Sequence, residues 1–83
     1  MDPNETWKQM LDAYTQSNWD DAVELAEALL DWLRRGGFPP RTTIVSSDGT
    51  VTIELDHDQA NRQIADAVAR SILLASKQKQ ASV

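Results

Sequence analysis

Residues 19–33, WDDAVELAEALLDWL, restrict the fold more than any other stretch of this chain. On a helical period the apolar side chains fall into two stripes, Trp19, Val23, Ala26, Leu30 and Leu33 on one and Ala22, Leu25, Leu29 and Trp32 on the other. Only Asp20, Glu24, Glu27 and Asp31 form a polar ribbon between them. A helix that is apolar over most of its circumference must be covered from two sides. The flanking segments are therefore read for what can cover it.

On the N-terminal side, Asp2–Pro3–Asn4–Glu5 carries the marks of a helix start: a capping carboxylate, a proline at the first helical position and an acid three residues after the cap. Trp7, Met10, Leu11 and Tyr14 then share one helical face. Thr15–Gln16–Ser17–Asn18 is a short connection, so the first two helices are expected to lie antiparallel. Trp7 and Trp19 are expected to face one another between them.

The second helix ends in RRGGFPPR, residues 34–41. Arg34 and Arg35 suit exposed C-terminal carbonyls, and Gly36 or Gly37 supplies the left-handed stop. Phe38 is expected to fold back onto Leu33, and Pro39–Pro40 keeps the helix from resuming. Residues 41–56, RTTIVSSDGTVTIELD, read as a β-hairpin around Asp48–Gly49. A two-residue turn pairs Ile44 with Ile53 and Ser46 with Val51, placing Thr42, Ile44, Val51, Ile53 and Leu55 on one face. A three-residue loop closed by Gly49 would place Val45 inside instead; the first register buries the larger side chains. That face is expected to lie on the second or third helix, and its open edges leave room for edge-to-edge pairing in a dimer.

A third helix starts near Asp56–His57–Asp58, with Asp56 and Gln59 as a capping box. Ala60, Ile64, Ala67, Val68, Ile72 and Ala75 are assigned to its buried face, widened by Leu73 and Leu74. Arg62, Gln63, Asp66 and Arg70 are assigned to the outer face. From Lys77 the apolar period stops, and residues 77–83 are expected to fray. The expected fold is α+β, in the order α-α-β-β-α, with one small domain over residues 1–76.

Charge limits the function. Residues 1–33 hold eight acids and one base, a local charge of −7, whereas residues 34–83 hold five acids and seven bases, +2. An acidic half repels phosphate, which disfavours nucleic acid as a partner. The alternative of a regulator touching nucleic acid would use Arg62, Arg70, Lys77 and Lys79, which form no continuous stripe. The chain has no cysteine, so neither disulfides nor thiolate metal sites enter, in keeping with a reducing, cytoplasmic setting. No apolar run is long enough for a membrane, and the first residues do not resemble a signal peptide.

Few chemical constellations exist. The row Asp20, Glu24, Glu27, Asp31 can dock a basic partner or keep one helix face wet; a straight row diverges and cannot encircle a cation. Asp56–His57–Asp58 brings the single histidine to carboxylates, but no activated nucleophile or second metal ligand accompanies it. No catalytic, metal or cofactor residue is assigned. Gly36–Gly37 closes a helix and has the wrong polarity to cradle phosphate. Leu25, Leu29 and Trp32 are core if the later chain covers them and an interface if it does not.

Trp7, Met10, Ala13–Tyr14, Trp19, Ala22–Val23 and Leu29 together resemble a single tetratricopeptide-type helical hairpin. Leu11 stands where that family prefers glycine, and one unit is fewer than the roughly three such repeats need. The resemblance implies protein–protein contact and carries over no binding residues. The expected function is a non-catalytic, soluble protein–protein interaction module that docks a protein partner or a second copy of itself. Its candidate surface is Leu25, Leu29 and Trp32 with Asp20, Glu24, Glu27 and Asp31.

Overall fold

The computed structural model describes residues 1–82 and has the element order α1 (Pro3–Thr15), α2 (Trp19–Arg34), β1 (Thr43–Val45), β2 (Thr52–Glu54) and α3 (Asp58–Ala81). This is the α-α-β-β-α order expected from the sequence. Each helix boundary has a local cause. Asp2 accepts the Asn4 and Glu5 backbone N–H groups at 3.0 and 3.3 Å, and Asn18 accepts that of Asp21. At the end of α2, the Gly37 N–H donates to the Trp32 carbonyl and the Gly36 N–H to that of Leu33, with Gly36 at φ +87°. These two bonds make a Schellman stop. The same pair of bonds ends α1, where Ser17 takes the left-handed position at φ +60°.

Packing around α2 follows from its two stripes: α1 covers one flank and α3 the other. Asp20 near the start of α2 meets Gln80, and the Leu33 carbonyl near its end meets Arg62, so α3 runs antiparallel to α2. Met10, Ala22, Ala26, Leu29, Ala65 and Ala69 are fully covered. Each buried leucine of this kind contributes roughly 1.5–3 kcal/mol of transfer free energy.

Several expectations are corrected. The buried face of α3 is Asn61, Ala65, Ala69, Ile72 and Ser76, with Ala67 exposed. Ile72 belongs to both sets; the rest of the assigned face is rotated from the observed row, in which the small Ala65 and Ala69 are fully covered while the larger Ile64 and Val68 are half-buried beside it. Arg62 does not face away: its guanidinium donates to the Leu33 carbonyl at 2.9 Å and the Gly37 carbonyl at 2.7 Å, completing the cap of α2. Phe38 packs on Trp32, edge to face at 5.7 Å, and remains largely exposed. The cap of α3 is His57, whose Nδ1 accepts the Ala60 N–H, in place of Asp56. Residues 77–81 continue α3, where Gln80 donates to Asp20 at 2.7 Å.

The largest correction concerns the hairpin. Its register is as expected, Ile44 opposite Ile53, but neither strand approaches a helix. Ile44, Val45, Val51 and Ile53 are each about half exposed, at 51–55%. The hairpin stands off the helices as an arm. The dimensions follow: the radius of gyration is 13.0 Å against about 12 Å for a compact chain of this length.

Candidate functional site

The arm is built from its base outward. Asn61, 3% exposed on α3, replaces one rung of the hairpin ladder. Its Oδ1 accepts the Thr42 N–H at 2.9 Å and the Thr42 hydroxyl at 2.6 Å, and its Nδ2 donates to the Leu55 carbonyl at 2.9 Å. The remaining rung at that level, Leu55 N–H to the Thr42 carbonyl, is direct. One asparagine therefore grips both strands where they leave the helices. The Arg41 N–H also donates to Asn4 Oδ1 at 2.8 Å, which ties the entry of β1 to the start of α1.

Beyond that clamp the hairpin supports itself. Ser46 N–H donates to the Val51 carbonyl, and a β-turn from Ser46 to Gly49 closes a four-residue loop with Gly49 at φ +77°. The turn is thus wider than the two-residue form, although the register is the same. Asp48 Oδ1 accepts from the Ser46 hydroxyl, the Thr50 N–H and the Thr50 hydroxyl. These bonds, the Ser46 hydroxyl first, lower the Asp48 pKa from 3.8 to about 2. Arg41 reaches Glu54 at 3.3 Å and Asp56 at 3.9 Å, all three side chains well exposed.

Thr42 and Leu55 pair through hydrogen bonds, as do Ser46 and Val51. Alternation along an antiparallel ladder then makes Ile44–Ile53 a hydrogen-bonded pair. The N–H and C=O groups of Thr43 and Val45 consequently point out along the free edge of β1, and those of Thr52 and Glu54 along the free edge of β2. The β1 edge carries neither charge nor proline, the two features that usually blunt such an edge.

The residues predicted as an interface are distributed differently. Leu29 is fully buried, and Leu25 and Trp32 are partly covered against the core. Trp32 donates its indole N–H to the Phe38 carbonyl at 2.8 Å, and a Cβ at position 37 would overlap its ring, so the stop loop itself lies on it. Asp20, Glu24, Glu27 and Asp31 are exposed along α2; Asp20 accepts from Gln80 and Asp31 pairs with Arg35 at 2.7 Å. Among the described residues no group of three or more histidines, aspartates or glutamates converges to hold a metal. His57 serves the helix start.

A second surface feature is an open groove of about 540 Å³ between α2 and α3, with Leu30, Leu33, Leu73 and Leu74 along it and Arg34 and Arg70 at its sides. Arg70 is paired with Asp66 at 2.9 Å. No helix among the described residues is long and apolar enough to cross a membrane.

The sequence reading missed Asn61 and the exposed arm. A signal for Asn61 existed: it sits four residues before Ala65 and eight before Ala69, in the row that proves to be the seam. The chain matches no protein-family model, no curated protein and no solved structure. The tetratricopeptide resemblance of Trp7–Leu33 accordingly rests on its own residues, and the second flank of α2 is covered by α3.

Proposed function

We propose that this protein is a small, non-catalytic docking module that engages another protein surface through its hairpin arm. One observation carries the reading: four β-branched residues, Ile44, Val45, Val51 and Ile53, stand about half exposed on strands that no helix covers. A two-stranded hairpin is marginal by itself in water, and a third strand or a packed face stabilises it. The accessible surface of 5542 Å² exceeds the roughly 5,000 Å² of a compact monomer of this mass, as suits a chain with an arm to cover. A reducing, cytoplasmic setting belongs to the same proposal. The rival contact with nucleic acid has less support, since Arg62 is spent on the α2 carbonyls and Arg70 on Asp66.

The test is a photo-crosslinking phenylalanine analogue placed at Ile44, compared with the same analogue at exposed Gln16. The Ile44 position is expected to yield a covalent protein adduct of defined mass, with a second copy or another protein. Equal, background-level yields at both positions would remove the hairpin from the docking role.

A further inference from the structure

We infer that the arm's occupant is a second copy of this chain, joined β1 edge to β1 edge about a two-fold axis at Ile44 into one four-stranded antiparallel sheet. The inference rests on the docking role of the hairpin and names its partner. Backbone geometry selects the axis. The free-edge groups of β1 belong to Thr43 and Val45, because the neighbouring residues Thr42 and Ser46 are bonded toward β2. A two-fold at Ile44 sets Thr43 of each copy opposite Val45 of the other. All four N–H groups and all four facing carbonyls are then paired by four hydrogen bonds. A shift of one residue either way leaves half of them without a partner.

Side chains agree with that choice. Ile44 faces its own symmetry mate in a non-hydrogen-bonded pair, so Ile53, Ile44, Ile44 and Ile53 line up across the four strands on one face. Cross-strand pairs of β-branched residues are among the favourable ones. Charge does not oppose it, because β1 itself carries none and Arg41 beside it is held by Glu54 and Asp56 of its own chain. Pairing through β2 brings charge into the paired strand itself: an axis at Ile53 sets Glu54 of each copy opposite Thr52 of the other. A charged side chain on an edge strand blunts such pairing. A junction three residues long is smaller than a standard specific interface, so the association is expected to be weak and concentration-dependent.

The chain has no cysteine, which makes disulfide trapping clean. In the proposed sheet the two Ile44 Cα atoms lie about 4.5 Å apart, within disulfide range, whereas the two Ile53 positions are separated by three strand spacings. Ile44→Cys is expected to form a disulfide-linked dimer under mild oxidation at least tenfold faster than Ile53→Cys. Light scattering on the wild type should rise with concentration toward twice the 9.3 kDa chain mass. Val45→Pro removes an outward N–H and spares the bonds to β2; it should give a monomer with unchanged helical circular dichroism, while Thr52→Pro stays dimeric. A wild type of single-chain mass at millimolar concentration overturns the inference. So does Ile53→Cys crosslinking as fast as Ile44→Cys, or a dimeric Val45→Pro. A monomeric wild type whose Ile44 crosslinker captures a different protein overturns the second copy alone and leaves the docking role; no adduct at Ile44 removes both.

Discussion

Asn61 is the residue on which the arm depends. Its amide satisfies the Thr42 N–H and the Leu55 carbonyl together, and both it and Thr42 are almost fully buried. Removing the amide leaves a donor and an acceptor without partners, each at a cost of about 1–3 kcal/mol. Asn61→Ala is therefore expected to destabilise the protein by about 2–4 kcal/mol, a large part of the net stability of so small a domain. Chemical denaturation followed by tryptophan fluorescence measures it. Asn61→Asp keeps the acceptor toward Thr42 but sets oxygen against the Leu55 carbonyl, so it should not restore stability. Recovery to the wild-type midpoint by aspartate would mean that only the Thr42 half of the clamp matters. Ser76 offers a contrast on the same face: it is fully covered and its hydroxyl has no partner among the described residues.

At the scale of an element, the hairpin is held by its turn and not by a core. Asp48 is the organising group of that turn, and its lowered pKa ties turn formation to pH. Because the folded value of about 2 lies below the unfolded 3.8, the ionised carboxylate favours the closed turn above the unfolded pKa. That contribution fades as the pH falls through the window between the two values. The amides of Thr50 and Val51 should keep their chemical shifts down to about pH 4 and move together as the pH approaches 2, with helix signals following separately. Asp48→Asn should flatten that titration. The helices, by contrast, are each bounded by caps that can be read residue by residue, and α2 gains a third closing group in Arg62.

For the molecule as a whole, the helices and the arm are two layers of differing support. The helical layer has its own core of residues from α1, α2 and α3, while the strands pack only on each other. Replacing Ile44–Ile53 by an Asn–Gly turn that joins Thr43 directly to Glu54 is expected to leave the helical circular dichroism intact and lower the melting temperature by only a few degrees, while abolishing self-association. Loss of cooperative melting in that variant would show that the arm is part of the core after all.

Much of this architecture was legible along the chain, and the reasons are local. Caps at Asp2 and Asn18, the stop at Gly36 and the hairpin register depend on neighbours a few residues away, and the two-sided apolar pattern of residues 19–33 required two covering helices whatever their identity. What packing alone could settle was which face of α3 meets α2, where Phe38 lies, and whether the hairpin is covered. An alanine-rich helix presents faces of similar hydropathy, so backbone approach, not side-chain pattern, chose the row through Asn61, Ala65 and Ala69. Alternation in a strand marks an apolar face without saying what lies against it. Here nothing among the described residues does, because α1 and α3 already cover both flanks of α2.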